Sequence, residues 1–369
     1  MTDRTRSDAI GGSALPSRPG ARLVSLGEFL IDFVPADRGV TLEDAERFVR
    51  AAGGAPANVA VGASRLGVPA AFLGKVGDDP FGRHLAQVLE REGVDASGVR
   101  FDQEARTALA FVSLGEGGER DFVFYRNPSA DMRYRPDEVD EEIIASADVL
   151  HIGSISLIQE PSRAATLHAL DVARRNGAWV SYDPNLRLAL WPSAAEAKRG
   201  ILSIWERANV IKVSEEELTF LAGSTDVGAA RELMHDDLDL LVVTLGAAGV
   251  RYLCGERWGG GSGVVPGFPV DAIDTTGAGD AFMAALLAGL LEGTLGVVPG
   301  TSTATSEASP SEASPSETSP YETAPSDMAD LETLLRRANA CGALTTTRRG
   351  AIPALPSAAE LDAFLARGG

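Results

Sequence analysis

Lysine is scarce in this 369-residue sequence, where Lys75, Lys198 and Lys212 are the only three. None of them stands in a GxxxxGK[ST] stretch, so the sequence excludes a P-loop nucleotide site. Lysine and arginine together number 33 against 52 aspartates and glutamates, for a formal net charge of −19 at pH 7. Because nucleic acids and anionic membranes bind basic surfaces, we expect no nucleic acid and no membrane as a partner.

Cysteine is also scarce, since Cys254 and Cys341 are the only two and form no CxxC motif. Two distant thiols predict small buried cysteines and a cytoplasmic, reducing location. No apolar run approaches the roughly 20 residues that a membrane-spanning helix needs. Residues 1–21 contain no hydrophobic stretch of the kind found in secretory signals, and we predict that they form a disordered tail.

Strand-like and helix-like segments alternate through residues 22–369, which we interpret as one domain. Strands are predicted at ARLVSLGEFLIDFV, VLHIGSI, WVSYD, NVIKV and LDLLVVTL. Alanine-rich or amphipathic stretches between them predict helices, as at 56–66, 81–92 and 161–175. This alternation, with nearly continuous apolar strands, predicts an α/β fold with a mostly parallel central sheet and helices on both faces.

Two regions interrupt the alternation. TALAFVSL (107–114) and ERDFVFYR (119–126) flank a GEGG turn and predict an antiparallel hairpin, which could form a small sheet with the strand-like segment 46–50. This pattern fits a β lid built from segments near 33–52 and 105–130, and it equally fits a surface flap. A period-five repeat of serine, proline and glutamate fills 306–325, so we predict a disordered loop insertion at about 299–327.

The heptapeptide DTTGAGD, from Asp274 to Asp280, carries the clearest chemical signal. A helix is predicted to open at this glycine-rich turn, so free N–H groups and the positive end of the helix dipole would form an anion site. Gly277 and Gly279 would let the backbone approach a phosphate without a Cβ. Asp280 would either accept a proton from an attacking hydroxyl or cap the helix, and the complete heptapeptide favours catalysis.

A second motif, GGAPANVA from Gly53 to Ala60, places two glycines before a predicted helix. Such a turn lets a small polyol lie against the main chain, and Asn58 can both donate and accept hydrogen bonds. By itself the pattern also describes an ordinary loop-to-helix junction. Together with the heptapeptide it predicts a sugar site.

These two motifs, in this order, resemble the two signatures of the ribokinase-like (PfkB) sugar kinases, and the resemblance covers residues 22–369. Four further stretches resemble fructokinases: FYRNPSADM (124–132), SYDPNLRLALWPS (181–193), IKVSEEEL (211–218) and ANACGALTTTRRGAIPALP (338–356). The resemblance implies a ribokinase-like fold and the transfer of phosphate from ATP to D-fructose, giving ADP and D-fructose 6-phosphate.

The resemblance also implies roles for individual residues. Asp280 matches the catalytic base of the family. The positions of its anion hole are matched by Gly277, Ala278 and Gly279. Positions that bind sugar are matched by Asp32, Gly54, Asn58 and, from the predicted lid, Arg126. Positions near the nucleotide and its phosphates are matched by Asn185, Thr244, Gly246, Gly249 and Asn339.

Metal sites and self-association are implied in the same way. Magnesium is expected to bridge the ATP phosphates. The family's NxxE motif appears here as Ser214-x-x-Glu217, and Glu217 matches the residue that contacts magnesium through water, although the same pattern is a capping box that stabilises a helix without metal. Asp274 and Thr276 resemble backbone ligands of a potassium site in some relatives. Relatives often pair through their lids, which suggests a homodimer.

Two alternatives stay open. Another sugar kinase of the family, such as a 2-keto-3-deoxygluconate kinase or a ribokinase, would carry the same motifs, and an acidic sugar would need an extra cation in the pocket. A non-catalytic PfkB-like binding module is the alternative from another class. Such proteins tend to lose the base or the glycine turn, and both are intact here.

Overall fold

A computed structural model of the chain describes residues 20–37, 39–114, 120–292 and 328–368. Its helices are α1 Ala55–Arg65, α2 Pro80–Arg91, α3 Glu141–Ala145, α4 Ser162–Arg175, α5 Ala194–Leu202, α6 Glu215–Ala222, α7 Val227–Glu232, α8 Ala278–Leu291, α9 Met328–Thr346 and α10 Ala358–Ala366. Its strands are β1 Leu23–Leu26, β2 Leu30–Pro35, β3 Phe48–Gly53, β4 Ala70–Gly77, β5 Val99–Asp102, β6 Leu109–Leu114, β7 Arg120–Tyr125, β8 Val149–Ile152, β9 Trp179–Tyr182, β10 Val210–Ser214, β11 Leu240–Thr244, β12 Gly249–Cys254 and β13 Ser262–Pro266. The predicted loop insertion and residues 1–19 of the predicted tail lie outside the described residues.

The main sheet has nine strands in the order β13-β12-β11-β10-β9-β8-β1-β4-β5. Its strands run parallel except at one end, where β12 is antiparallel to both β11 and β13. Every residue of β1 and of β4 is buried, because helices cover both faces of the sheet. The predicted α/β fold with a mostly parallel central sheet is confirmed.

The core forms two layers, one on each face of this sheet. Neighbouring residues of a strand point to opposite faces, so Leu23 packs into one layer and Val24 into the other. The first layer joins the sheet to α1, α8 and α9, and the second joins it to α4, α5 and α6. The carboxyl ends of the parallel strands and the amino ends of α1 and α8 therefore lie around one cleft, where α/β folds bind ligands.

A second sheet of four strands, in the order β3-β2-β6-β7, contains the predicted hairpin. The segment predicted as one strand interrupted at Gly27 is in fact β1 of the main sheet and β2 of the small sheet. The chain leaves the main sheet at Gly27, where Pro56 at the start of α1 packs so closely that a Cβ would lie 2.5 Å from its Cγ. Among the described residues, no helix has both the length and the apolar character to cross a membrane.

Candidate active site

Asp280 lies in the first turn of α8, with its side chain buried. The residue before the helix is Gly277, whose φ of 78° is a backbone conformation that glycine adopts readily. Asn58 Nδ2 donates a hydrogen bond of 2.7 Å to Asp280 Oδ2. Within the described residues no side chain caps α8, so Asp280 does not act as its cap. Burial raises the pKa of Asp280 to about 6, which suits a proton acceptor at neutral pH.

Close packing of two helices brings Asn58 and Asp280 together across 222 positions of sequence. One turn further along each helix, Gly62 of α1 faces Ala284 of α8, and a Cβ on Gly62 would lie 2.6 Å from Ala284 Cβ. Gly62 therefore permits the close approach of the two helices that places the Asn58 amide on the carboxylate. The two sequence motifs meet in one site.

The sugar-side residues of the prediction lie around the same helix ends. Gly54 precedes α1 with a φ of 121°, and the nearest atom to a Cβ built there would be the carbonyl oxygen of Glu28. Gly53 pairs with Leu30 in the small sheet, and a Cβ there would collide with the Asp32 carboxylate. Asp32 itself lines a cavity of about 750 Å³ between the small sheet, α2 and the loops that precede α8 and follow α9.

Arg126 follows β7 and is buried in an ion pair. Its Nε and Nη2 donate to Asp131 Oδ2 at 2.7 Å and 2.5 Å. The strand register places Asp32 opposite Ala110 and Ala110 opposite Phe124. Phe124 therefore projects on the same face of the small sheet as Asp32, and Arg126 follows two residues later, just beyond the end of β7.

Lys212 is a residue of the site that sequence reasoning did not assign. It lies on β10, buried, and its Nζ donates to Asp183 Oδ2 at 2.7 Å. A Cβ built on Gly279 would lie 2.9 Å from Lys212 Nζ, so the ammonium group sits against the glycine turn before Asp280. Asp183, Glu217 and Asp280 raise the pKa of Lys212 against the effect of burial, which keeps it charged. The sequence feature that could have identified it is a charged lysine inside the apolar stretch NVIKV.

Asn185 lies in the segment that follows β9. Its φ of 44° is the only positive value of a non-glycine residue among the described residues, and its N–H donates to Asp183 Oδ1 at 3.2 Å. Asparagine tolerates this left-handed conformation better than most residues. Arg187, two positions on, lies close enough to Asp280 to lower the pKa of that carboxyl. The segment from Asp183 to Arg187 thus brings one carboxylate and one guanidinium towards Asp280.

Glu217 lies at the start of α6, and both of its carboxylate oxygens accept backbone N–H groups. Oε1 accepts from Leu186 at 2.6 Å, and Oε2 accepts from Ser214 at 2.8 Å. The second contact belongs to a complete capping box, as the alternative interpretation predicted. A carboxylate occupied in this way fits a contact to magnesium through water better than direct coordination. No group of three or more His, Cys, Asp or Glu side chains arranged for a metal exists in the described ranges.

Four of the predicted nucleotide residues lie near one another, around the ends of β11, β12 and β13. Thr244 ends β11, and the turn with Gly246 and Gly249 leads into β12. Gly249 has a φ of 107°, and a Cβ there would collide with the backbone of β13. Asn339 of α9 donates to the carbonyl oxygens of Val265 and Pro266 at 3.1 Å and 3.2 Å. Its amide therefore holds the end of β13 beside this turn.

Asp274 connects two loops next to the glycine turn. Its Oδ1 accepts from the N–H and the hydroxyl of Thr276 at 2.9 Å and 2.6 Å, and its Oδ2 accepts from the N–H of Gly350 at 2.9 Å. The side chain thus fixes the backbone between 274 and 276, whose carbonyls the predicted potassium site would use. These contacts also position the turn that leads into α8.

Comparison with known proteins finds one family over most of the chain. Residues 21–358 match the model of the pfkB family carbohydrate kinases. The chain is 53% identical over 345 residues to probable fructokinase-4 of Arabidopsis thaliana (93% of this chain and 96% of the relative), and 50% identical over 348 residues to fructokinase-2 of Solanum lycopersicum (94% and 96%).

Solved structures show the same fold. The structure of fructokinase with bound ATP from Xylella fastidiosa superposes with a TM-score of 0.76 at 31% identity, covering 94% of this chain and 98% of that one. The structure of fructokinase from Vibrio cholerae O395 with fructose, ADP and calcium ion bound has a TM-score of 0.76 at 35% identity, covering 94% and 100%. The chain belongs to the pfkB family of carbohydrate kinases.

Proposed function

We propose that this protein is a fructokinase that transfers the γ-phosphoryl group of ATP to the 6-hydroxyl of D-fructose, with Asp280 as the base. The observation that carries the proposal is the buried Asp280 carboxylate at the start of α8, held by Asn58 beside the glycine turn. Its fructokinase relatives, about half identical over nearly the whole chain, support the sugar.

The sugar would lie between the small sheet and the double glycine. Asp32 would accept hydrogen bonds from sugar hydroxyls, the backbone at Gly54 would allow close approach, and Asn58 would orient both the sugar and Asp280. Arg126 would contact the sugar from the end of β7. Asp280 would then take the proton of the 6-hydroxyl as that oxygen attacks phosphorus.

The phosphoryl group would bind at the amino end of α8. The N–H groups of Gly277, Ala278 and Gly279 and the helix dipole stabilise negative charge there. Lys212, against Gly279, adds a fixed positive charge that offsets the neighbouring carboxylates. Phosphoryl transfer needs mainly positioning and charge neutralisation, which explains how so acidic a chain can perform it.

Magnesium would supply charge neutralisation on the ATP phosphates, and Glu217 is the residue we assign to it, through water. Structures of relatives contain calcium, potassium and magnesium ions. We assign Thr244, Gly246, Gly249 and Asn339 to the nucleotide and Asn185 to the region of its phosphates. A potassium ion would bind the backbone carbonyls of Asp274 and Thr276.

The two buried free cysteines fit a cytoplasmic location.

The test is a panel of sugars with purified protein in an assay that couples ADP formation to NADH oxidation. D-fructose should give a kcat/KM at least about tenfold above D-ribose and 2-keto-3-deoxygluconate. Turnover of the keto acid without turnover of fructose would end the assignment. Binding of ATP and fructose without any turnover would favour the non-catalytic binding module.

The base predicts a particular pH dependence. Catalysis needs ionised Asp280, whose pKa is about 6, so log kcat/KM should rise with pH up to about that value and then level. Lys212 lowers this pKa, so Lys212→Met should move the acid limb to higher pH, whereas Lys212→Arg should leave it near the wild-type position. An unchanged limb in Lys212→Met would contradict the electrostatic link between the two residues.

We also propose that residues 22–369 form one kinase domain, that the small sheet is its lid and that two copies pair through it. Tyr125 on the edge strand β7 is 63% exposed and Val123 is 42% exposed, which is unusual for such side chains. Tyr125 stacks edge-on against Phe111, with ring centroids 5.3 Å apart. These side chains extend an aromatic cluster on one face of the sheet, which a second copy would cover.

Sedimentation velocity tests the pairing. The wild-type protein should sediment as a dimer, and Tyr125→Lys should sediment as a monomer, because a charge would be buried without a partner. Val227→Lys, at an exposed position on α7, is the matched control and should stay dimeric. A monomeric wild-type protein would contradict the proposal.

A further inference from the structure

A buried group of charges adjoins the double glycine, and of its members only Arg126 has a role in the proposed reaction. It consists of Glu28, Arg126 and Asp131, all less than a tenth exposed. Glu28 Oε1 accepts from the N–H of Ala55 at 3.2 Å, in the first turn of α1. Arg126 and Asp131 interact electrostatically with Glu28. The cluster therefore adjoins the place where the sugar would meet the main chain.

The charge of Arg126 is compensated within this cluster. Two of its nitrogens, Nε and Nη2, bind the same oxygen of Asp131, and the Ser129 hydroxyl donates to the other oxygen at 2.5 Å. Burial raises the pKa of Glu28 to about 7, so Glu28 adds further negative charge as the pH rises through neutrality. One guanidinium facing one carboxylate and a second carboxyl group leaves the cluster without net positive charge.

The same region contains two buried hydrogen-bond acceptors that lack donors. Glu28 Oε2 and Asn58 Oδ1 have no hydrogen-bond partner in the described structure, and each residue is only 4% exposed. An unmet buried acceptor is costly, and a sugar hydroxyl bound in the proposed site would supply the missing donor. Sugar hydroxyls donate hydrogen bonds, whereas a carboxylate can only accept them.

We propose that Asp131, with Glu28, makes this pocket selective for neutral sugars over sugar acids by neutralising Arg126. A substrate carboxylate placed here would find a cation already paired and would face two unpaired acceptors. A hydroxyl would satisfy the acceptors and could still accept a hydrogen bond from Arg126. The inference rests on the proposed sugar site and names Asp131 as a residue that acts on the substrate through Arg126.

Calorimetric titration of D-gluconate and D-fructose into the purified full chain tests this selectivity. Asp131→Asn keeps the shape and an oxygen for Arg126 but removes the negative charge. We expect the ratio of the gluconate Kd to the fructose Kd to fall by about tenfold or more, because the freed guanidinium can pair with the carboxylate of gluconate. Adding Arg126→Met to this variant should return the ratio towards the wild-type value.

Two further variants keep the test decisive. Glu28→Gln should lower the ratio in the same direction but less, and it replaces Asp131→Asn if that protein does not fold. Ser129→Ala, which leaves every charge in place, should keep the wild-type ratio. An unchanged ratio in both Asp131→Asn and Glu28→Gln would overturn the proposal. Tight binding of gluconate by the wild-type protein would overturn it as well, whereas absence of fructose turnover would contradict the proposed function, so the two failures are distinguishable.

Discussion

Replacing Asp280 by asparagine should lower kcat for fructose by about 10²- to 10⁴-fold, while ATP and fructose still bind. The asparagine oxygen can still accept the hydrogen bond from Asn58 Nδ2, so the geometry of the pair is preserved. The amide cannot take the proton of the attacking hydroxyl. Single-turnover measurements of fructose 6-phosphate, with calorimetric titration of ATP, check both halves of this expectation. Full activity of the variant would show that another group is the base.

The same substitution should stabilise the protein at neutral pH. Burial raises the pKa of Asp280 from 3.8 to about 6. Protonated Asp280 therefore stabilises the folded state fully below about pH 4, and this contribution to the free energy of unfolding is lost as the pH rises through 6. Asparagine avoids the burial of a charge and should add up to about 3 kcal/mol above that pH. Calorimetric scans should show a higher Tm for the variant at pH 8 and little difference at pH 4.

Asp226→Asn is the matched control for these measurements. Asp226 is the exposed cap of α7, and its backbone contacts lower its pKa, the opposite direction to Asp280. This variant should keep full activity. Because a lowered pKa means stability present above the ordinary value and lost on acidification, Asp226→Asn should lower the Tm at neutral pH. A Tm that rises in both variants would show that the effect at position 280 is not one of burial.

Gly54→Ala should have the second largest effect. At a φ of 121° an alanine is strained, and its Cβ would be forced against the carbonyl oxygen of Glu28, a backbone atom that cannot move aside. We expect a loss of roughly 3 kcal/mol or more in the free energy of unfolding and an increase in the KM for fructose of tenfold or more. Denaturant unfolding and steady-state kinetics with fructose measure the two effects.

Gly67→Ala is the control that distinguishes backbone strain from the steric collision expected in Gly54→Ala. Gly67 also has a positive φ, of 95°, but nothing lies within 4 Å of a Cβ built there. Its substitution should cost only about 1–2 kcal/mol for the left-handed backbone and leave the KM unchanged. Equal losses in the two variants would mean that the close approach at Gly54 contributes nothing to the site.

Much of the architecture was predictable because its signals are local. Apolar runs such as NVIKV and LDLLVVTL predicted β10 and β11, and the alternation with helices predicted the parallel sheet. The GEGG turn lies outside the described residues, but the hairpin around it was predicted from its alternating side chains and belongs to the small sheet. The division between β1 and β2 was not predictable from pattern, since both halves are apolar and the sequence does not show that they join different sheets.

The electrostatic partners of the site were less accessible to sequence reasoning. Lys212 pairs with Asp183 across 29 positions, and Glu28, between β1 and β2, interacts with the Arg126–Asp131 pair that follows β7. Neither relation leaves a periodic trace, because ion pairs of this kind depend on which strands become neighbours. Asp131 lies within a stretch that resembles fructokinases, yet its sequence context does not say that it neutralises Arg126.

The sequence by itself determined the fold class, the two glycine motifs and the residue that we assign as the base, because each is encoded in a few consecutive residues with a defined backbone geometry. Only the tertiary structure decided which charges face one another: that Asn58 holds Asp280, that Lys212 lies against the glycine turn and that Arg126 is already paired. Those relations arise when helices and strands far apart in the chain pack at close range. Burial there strengthens every charge interaction and leaves little room for an unpaired group.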